Sequence, residues 1–395
     1  MDVNRSLPTS QDVMGVLRGV VDPELGSDIV ELGMVRSAEV RPDGAVDVTV
    51  ALTTAGCPLR AQIKKDVVAR LESLPGVTEV RLHWGEMTPE ERSAAMATAR
   101  LKAAQRPEQT SVPLSAKVVL IASGKGGVGK SSVTVNLAAA LAARGLTVGV
   151  LDADIWGFSV PRMLGVEGRL AGTVEDGRKQ IVPIERPLGD GVLRVVSMGL
   201  LVDDEETALM WRGLMLNRGV QHFLQDVRWG DDLDYLLVDM PPGTGDVQMG
   251  VARLVPRADV VVVTTPARAA QKVAIRAVGM ARKSYLRVAG VIENMSAFRC
   301  DHGESYALFG EGGGRQLAED AGVPLLGQVP LEPSVSAGGD EGSPVVLGEG
   351  PAAEAFRAIA ARIVEEAVPP AAMAGCSARI LAAAETALEI RGAGT

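Results

Sequence analysis

Two periodicities of apolar residues in the first 86 positions predict a small α+β domain. Spacings of three and four residues place apolar side chains on one helix face, whereas strict alternation is typical of half-buried strands. These patterns predict helices over 10–20 and 59–74 and strands over 34–40, 45–52 and 77–84. Ser10 is a suitable N-cap for the first helix. Pro42-Asp43-Gly44 has the residue types of a turn between the first two strands.

Short, continuous apolar runs alternate with helical segments from residue 117 onward. Strands of this kind are buried on both faces, so the alternation predicts an α/β fold with a doubly wound, mostly parallel sheet. The predicted strands are 117–122, 146–151, 193–197, 235–238, 259–264, 288–292 and 325–328. Ligands bind to such sheets at the carboxyl ends of the strands, and the Gly-rich and polar segments of this sequence fall there.

The pattern divides the chain into four parts. We expect the small α+β domain over 8–86, a polar, Ala-rich linker over 87–116 and the α/β domain over 117–368. A C-terminal tail over 369–395 follows Pro369-Pro370 and contains one predicted helix, Ser377–Ile390.

Composition and charge exclude several classes of function. Of the 395 residues, 47% are apolar and 23% are charged, which is typical of globular rather than disordered chains. The net charge of −9 argues against a nucleic-acid partner. Apolar runs stay well short of the roughly 18 residues of a membrane span. Three scattered cysteines form no disulfide framework, so we expect a cytoplasmic protein. From the charge and the short apolar runs we expect neither a nucleic-acid nor a membrane partner.

A phosphate-binding loop follows the first strand of the α/β domain. Gly124-Lys125-Gly126-Gly127-Val128-Gly129-Lys130-Ser131 fits the pattern G-x-x-x-x-G-K-[ST], and Ser132 continues it. Glycines let successive backbone N–H groups turn toward phosphate oxygens, and the following helix adds its positive end. Lys130 is predicted to contact the β- and γ-phosphates, and the Ser131 hydroxyl to bind Mg²⁺. The alternative is a Gly-rich turn in which Lys and Ser are incidental.

Carboxylates end two of the apolar strands next to this loop. Asp152 and Asp154 close one strand and are placed to hold the water ligands of Mg²⁺ or to orient the attacking water, or else to cap the next element. Asp239 ends another strand in the Walker B pattern and is followed by Met240-Pro241-Pro242-Gly243-Thr244-Gly245-Asp246. The Gly243 backbone N–H is predicted to meet the γ-phosphate and to turn away after hydrolysis, although a Pro-Pro-Gly sequence can also form an ordinary turn.

Lys125 gives the loop a second lysine and a specific resemblance. The pattern K-G-G-x-G-K-[ST] resembles the deviant phosphate loop of the MinD/ParA and nitrogenase iron-protein group. In that group this lysine reaches the nucleotide of the partner subunit, so the resemblance implies a homodimer with ATP between its subunits. An exposed loop lysine without this role is the alternative.

Several further motifs resemble the Mrp-type ATPases, bacterial iron–sulfur cluster carriers related to MinD. The likeness spans about 115–365 and includes 123–132, D-A-D-I-W-G over 152–157, 239–246, I-E-N-M-S over 292–296 and F-G-E-G-G-G over 309–314. Residues 22–24, 32–33 and 52–58 resemble the small iron–sulfur assembly domain that often precedes these ATPases. The resemblance implies ATP hydrolysis, homodimerisation, transfer of clusters to apo iron–sulfur proteins, and a place for Asn294 in the pocket for the nucleotide base.

The cluster-binding motif departs from the family pattern. The family has Cys-x-x-Cys after Asn-Met-Ser, and two subunits then offer four thiolates to one bridging [4Fe-4S] cluster. Here Cys300 matches the first cysteine, but Gly303 occupies the second position. His302 or Asp301 could complete a metal site, since imidazole also binds iron and zinc. A loop without a cluster, and a thiol from elsewhere such as Cys57, remain open, and Cys57 is equally compatible with a buried structural role.

The sequence thus favours an ATP-dependent iron–sulfur cluster carrier. Lys125, Lys130 and Asp154 are its predicted catalytic residues: the two lysines and Mg²⁺ stabilise charge, and Asp154 positions the attacking water. The main alternative is a MinD/ParA-like regulatory or positioning ATPase that holds no cluster. An electron-transfer ATPase similar to the nitrogenase iron protein is a third hypothesis, disfavoured by the shortage of thiolates.

Overall fold

The structure is a computed structural model that describes most of the chain, with short gaps. The described residues are 7–22, 25, 27–53, 60–92, 94–95, 98, 110–155, 157–175, 177–201, 213–300, 302 and 304–370. Cys57, Asp301, Gly303 and the predicted helix Ser377–Ile390 lie outside them. In these ranges the structure has no helix long and apolar enough to cross a membrane.

The N-terminal part forms the predicted α+β domain. Its elements are α1 Ser10–Leu17, β1 Val21–Asp22, β2 Ser27–Asp28, β3 Val35–Val40, β4 Ala45–Leu52, α2 Arg60–Glu72 and β5 Glu79–Glu86. Strand β4 is the middle strand of a three-stranded sheet, antiparallel to β3 and parallel to β5. The alternating residues Val46, Val48 and Val50 are fully buried against the two helices, as their period of two predicts.

The predicted cap of the first helix is wrong by one residue. Thr9 is the N-cap: its hydroxyl accepts from the Asp12 N–H at 3.2 Å, and the Asp12 carboxylate accepts from the Thr9 N–H at 2.8 Å. This reciprocal pair is a capping box, which requires an acidic side chain three residues after the cap. Ser10 is therefore the first helical residue, and Val20 lies beyond the helix although it is buried.

Residues from 117 onward form the predicted doubly wound α/β domain. Its strands are β6 Lys117–Ser123, β7 Thr147–Asp152, β8 Ala171–Glu175, β9 Arg178–Val182, β10 Ile184–Leu188, β11 Gly191–Ser197, β12 Tyr235–Asp239, β13 Asp259–Thr264, β14 Arg287–Glu293, β15 Phe298–Arg299, β16 Ser305–Tyr306 and β17 Leu325–Gln328. The main sheet has the order β10-β11-β7-β12-β6-β13-β14-β17, and only β10 is antiparallel to its neighbour. Two buried apolar clusters, one on each face, pack helices against the sheet.

Helices connect most of these strands. They are α3 Lys130–Ala142, α4 Val160–Met163, α5 Gly213–Asp226, α6 Asp246–Leu254, α7 Arg268–Lys283, α8 Gly313–Ala321, α9 Pro333–Asp340 and α10 Pro351–Arg362. The first, α3, is buried along almost its whole length. Its burial between sheet and α10 explains why its sequence has little polar face.

Seven strands of the described residues were not predicted from the sequence: the two-residue strands β1, β2, β15 and β16, and the longer strands β8, β9 and β10. Strands β8 and β9 pair with each other, Ile181 of β9 also forms an isolated bridge with Val227, and β10 is the edge strand that pairs with β11. Most of their side chains are partly or fully exposed, so their sequences lack the apolar run of a central strand. Pro187 within β10 fits an edge position, because proline has no backbone N–H to donate to a neighbouring strand.

The small domain packs against the amino-terminal edge of the main sheet. Arg70 of α2 donates to the Arg257 carbonyl at 2.7 Å and lies 3.9 Å from Asp259, the first residue of β13. Lys117, the first residue of β6, lies 3.8 Å from Asp66 of α2. The carboxyl edge of the sheet, where ligands bind, is therefore on the opposite side from this domain.

Candidate nucleotide-binding site

The loop 124–129 connects β6 to α3 and lines a cleft of about 240 Å³. Gly127 and Gly129 both have φ of +78°, a conformation that favours glycine. At Gly124 an added Cβ would lie 2.3 Å from the Val273 carbonyl carbon, so the loop touches the α7 backbone. A Cβ at Gly126 or Gly127 would meet nothing within 4 Å. One side of the loop is therefore tightly packed, and the other is open to a ligand.

Behind the loop, Asp239 accepts hydrogen bonds from three side chains of α3. Its Oδ2 lies 2.6 Å from both Lys130 Nζ and Ser131 Oγ, and its Oδ1 lies 2.6 Å from Thr134 Oγ1. The Lys130 and Asp239 side chains are 6% and 1% exposed. In this structure the loop lysine is thus paired with the last residue of β12. Both residues that the sequence assigns to phosphate and Mg²⁺ meet at this carboxylate.

Asp152 lies beside Asp239 because β7 and β12 are parallel and in register at their last residues. Its Oδ2 accepts from the N–H groups of Ser159 and Val160 at 3.2 and 3.3 Å and from the Ser197 hydroxyl at 3.2 Å. Burial and the charge of Asp239 raise the pKa of Asp152 to about 7, against the opposing effect of Lys130. Since Asp152 is fully buried, it holds the segment after β7, and its predicted role toward water ligands stays a prediction.

Asp154, two residues further on, lines the cleft together with Lys125, Lys130 and Ser131. Burial raises the pKa of this carboxyl above its usual range, and the nearby Lys130 opposes that rise. Its backbone N–H donates to Asp152 Oδ1 at 3.2 Å, so the buried Asp152 carboxylate positions the partly exposed Asp154. Of the two predicted acidic residues, Asp154 is the one that can contact a bound water.

Asn294 contacts the loop from behind. Its side-chain Nδ2 donates to the Val128 carbonyl at 2.9 Å, and its backbone N–H donates to Thr264 at 2.8 Å. The residue is 4% exposed, and a Cβ at Gly129 would lie 2.2 Å from its Nδ2. The structure thus gives Asn294 a role in holding the phosphate loop. Its contact with a nucleotide base stays a prediction.

The segment after β12 closes onto β6. The Gly243 N–H donates to the Ser123 carbonyl at 3.1 Å, and Gly243 has φ of +95°. Gln248 is 2% exposed and donates to the carbonyls of Pro241 and Pro242 at 2.9 and 3.2 Å. To meet a γ-phosphate, the Gly243 N–H would have to leave Ser123. The role of Gly243 as a switch stays a prediction.

Cys300 lies in a small hairpin beyond the carboxyl end of β14. Strands β15 and β16 are antiparallel, and the Cys300 N–H donates to the Glu304 carbonyl at 2.9 Å. Cys300 is partly exposed, and His302 is exposed. Within one chain, the described residues contain no group of three or more His, Cys, Asp and Glu side chains suited to a metal. A Cys300/His302 site shared between two chains stays a prediction.

Three residues that support the site were not identified from the sequence: Thr134, Ser197 and Gln248. Thr134 follows Lys130 by four residues, so helical geometry alone places both on one face toward Asp239. Ser197 ends β11, the strand adjacent to β7, and only the strand order shows that it reaches Asp152. Gln248 follows the Pro-Pro-Gly segment closely, but its direction toward that segment is a tertiary feature.

Comparison with known proteins agrees with this geometry. A family model described as NUBPL iron-transfer P-loop NTPase matches residues 115–364, and one described as iron-sulfur cluster assembly protein matches residues 10–82. The iron-sulfur cluster carrier protein of Mycobacterium tuberculosis is 46% identical over 353 residues, 88% of each chain. That of Deinococcus radiodurans is 45% identical over 351 residues, 88% of this chain and 93% of the relative.

A solved structure shares the α/β domain. The nucleotide-binding protein from Archaeoglobus fulgidus, solved in complex with ADP, is 35% identical with a TM-score of 0.50 and covers 61% of this chain and 91% of its own. These matches confirm the predicted fold class and the P-loop ATPase assignment. The chain belongs to the family of NUBPL iron-transfer P-loop NTPases, with an N-terminal domain of the iron–sulfur cluster assembly family.

Proposed function

We propose that this protein is an ATP-dependent iron–sulfur cluster carrier that works as a cytoplasmic homodimer and transfers clusters to apo iron–sulfur proteins. The main support is that two features share the carboxyl side of one sheet. The phosphate loop, with its Lys130–Asp239 pair, follows β6, and the Cys300 hairpin follows β14. Relatives of up to 46% identity are named iron-sulfur cluster carrier proteins.

The residues around Asp239 suit a magnesium nucleotide. Ser131 Oγ and the Asp239 carboxylate lie 2.6 Å apart, and hard oxygen ligands of this kind are those that Mg²⁺ prefers. Bound there, Mg²⁺ would neutralise charge on the β- and γ-phosphate oxygens. Lys130 is the cation nearest to the Asp239 carboxylate. Once Mg²⁺ shares the negative charge of that carboxylate, Lys130 can move to the phosphates.

Hydrolysis then depends on placing a water molecule in line with the γ-phosphate. Asp154 is the partly exposed carboxylate of the cleft, and burial makes it a better proton acceptor than an ordinary aspartate. Loop N–H groups, Lys130 and Lys125 stabilise charge that develops on the transferred phosphoryl group. The Gly243 N–H can sense that group by leaving the Ser123 carbonyl.

The position of Lys125, which is exposed at the open side of the loop, supports the proposed dimer. In the proposed dimer this lysine binds the nucleotide of the partner subunit. The Cys300 residues of the two subunits then lie close together at the dimer interface and supply two thiolates to a bridging [4Fe-4S] cluster. His302, which is also exposed, is the proposed further ligand, since imidazole can replace thiolate on iron.

Anaerobic reconstitution tests the cluster-carrying part of this proposal. The purified protein is treated with iron and sulfide, and bound iron and acid-labile sulfide are measured per dimer. We expect four of each in the wild type, a loss in Cys300→Ala, and no change in the matched control Cys376→Ala. Iron bound equally by all three proteins would contradict the assignment of Cys300, and no bound iron in any of them would favour the MinD/ParA-like alternative.

A further inference from the structure

A small cavity of about 60 Å³ lies between the two domains, far from the nucleotide cleft. Helix α2 of the small domain forms one wall, and the amino ends of β6, β13 and β14 form the other. Its charged lining residues are Asp66, Arg70, Lys117, Arg257, Asp259 and Arg287. The proposed ATPase and carrier activities use none of them.

Cations outnumber carboxylates in this cavity by four to two. Asp259 is shared by two guanidinium groups: Arg287 Nε lies 2.8 Å from its Oδ1, and Arg70 Nη2 lies 3.9 Å from the same atom. Asp66 faces Lys117 at 3.8 Å. Both carboxylates are thus already engaged, and two positive charges remain without a carboxylate of their own among the lining residues.

Arg257 is held by backbone carbonyls rather than by a carboxylate. Its two Nη atoms donate to the carbonyls of Val112, Pro113, Leu114 and Ala116 at 2.7–3.1 Å. These dipoles fix the guanidinium but leave its net charge uncompensated. Burial and the nearby Arg70 lower the pKa of Arg257 to about 10. The partly exposed Arg257 and the buried Arg70 thus place like charges close together, which is costly without a counter-ion.

Arg70 has an unused donor at the same place. The residue is 6% exposed, its Nη2 donates to the Arg257 carbonyl, and its Nη1 is buried without an acceptor in the described part of the chain. A buried donor that lacks an acceptor destabilises the folded protein. Arg70 Nη1 packs closely against Gly19, where a Cβ would lie 2.6 Å from it, so only glycine gives this guanidinium enough space.

We propose that this cavity is a binding site for a small tetrahedral oxyanion of the phosphate or sulfate class, which bridges Arg70 of the small domain and the cations of the α/β domain. A dianion matches the two excess positive charges, and its oxygens accept from guanidinium and ammonium donors. At about 10–15 Å³ for each water-sized group, the cavity of about 60 Å³ has room for about four to six such groups, enough for one sulfate but not for a nucleotide.

Calorimetric titration of the full chain tests the site. Sodium sulfate and sodium phosphate are titrated separately at constant ionic strength, with saturating MgADP present because the phosphate loop also binds such anions. We expect one anion per chain in addition to the nucleotide. Arg70→Gln and Lys117→Gln should each weaken binding at least tenfold, whereas the exposed control Lys179→Gln should not. The two anions are compared to show which the site prefers.

Crystals grown with selenate, a tetrahedral dianion with an anomalous signal, provide the second measurement. An anomalous peak between Arg70 and Arg287 is the expected result. The proposal is overturned if the peak is confined to the phosphate loop, if MgADP abolishes all anion binding, or if Arg70→Gln and Lys117→Gln bind sulfate as tightly as the wild type. Lys117 is partly exposed, so Lys117→Gln tests whether the positive charge of the cavity binds the anion even if Arg70→Gln fails to fold.

Discussion

Three side chains of one helix converge on the carboxylate of Asp239, and this cluster is the centre of the site at the scale of single residues. Lys130, Ser131 and Thr134 all donate to it at 2.6 Å in a buried environment. Hydrogen bonds to a charged group in such surroundings are strong, and removing one partner leaves a charge that the protein cannot solvate. The same cluster must open toward the phosphates when a nucleotide binds.

Replacing Lys130 by alanine should reduce ATP turnover by at least about 100-fold, because a preorganised charge on the transferred phosphoryl group is lost. Phosphate release under saturating MgATP measures the effect, with thermal unfolding as a check on the fold. The control Lys65→Ala, an exposed lysine of the small domain, should retain wild-type turnover. Undiminished hydrolysis by Lys130→Ala would remove this lysine from the mechanism.

The buried carboxyl of Asp152 should make the stability depend on pH. Its pKa of about 7 exceeds that of an aspartate in the unfolded chain, about 3.9, so the native state binds the additional proton between these values. The contribution of Asp152 to the free energy of unfolding is therefore complete below about pH 4 and falls as the pH rises toward 7.

Asp152→Asn cannot titrate, so it should remove this slope, which is at most about 1.4 kcal/mol per pH unit. Urea unfolding at several pH values between 4 and 8 gives the difference between wild type and variant, and Glu319→Gln on the surface serves as the control. A difference between Asp152→Asn and wild type that stays constant over this range would show that Asp152 is charged throughout.

At the scale of elements, the phosphate loop is held from two sides and open on a third. Helix α7 touches Gly124, and the residue after β14, Asn294, supports the carbonyl of Val128. The loop sequence and the flanking strand and helix were predictable because glycine content and apolar period are local properties. The β8–β9 pair and edge strand β10 were not, because exposed strands carry no continuous apolar run.

Alanine at Gly129 should destabilise the protein even without nucleotide. The backbone there has φ of +78°, and the new Cβ would lie 2.2 Å from Asn294 Nδ2. Strain of about 1–2 kcal/mol from the backbone and about 1–3 kcal/mol from overpacking add up to roughly 2–5 kcal/mol of unfolding free energy. Gly126→Ala, whose Cβ meets nothing within 4 Å, is the matched control. Equal losses in the two variants would argue against this packing.

At the scale of the whole molecule, the two domains meet at one edge of the sheet and the candidate nucleotide site lies at the other. Arg70 connects α2 to β13 on the amino side, whereas Lys130, Asp154 and Asp239 lie at the carboxyl side. The residues that line the nucleotide cleft all belong to the α/β domain. The proposed dimer, in contrast, uses the carboxyl side directly through Lys125.

Lys125→Ala should prevent nucleotide-dependent dimerisation while leaving nucleotide binding intact. Sedimentation velocity with a non-hydrolysable ATP analogue measures assembly, and a fluorescent nucleotide measures binding. We expect a dimer for the wild type and for the exposed control Lys179→Ala, but a monomer with at least about tenfold lower turnover for Lys125→Ala. A Lys125→Ala dimer of unchanged affinity would refute the role of this lysine across the interface.

The sequence by itself determined the P-loop, the acidic strand ends, the α/β class and the two-domain order, because each depends on residues close together in the chain. Only the tertiary structure decided which of these meet. Asp152 and Asp239 are adjacent because β7 and β12 are parallel and in register. Arg70 reaches Asp259 across 189 positions of sequence. Burial and charge at such contacts are set by packing between distant segments, and local sequence patterns do not encode them.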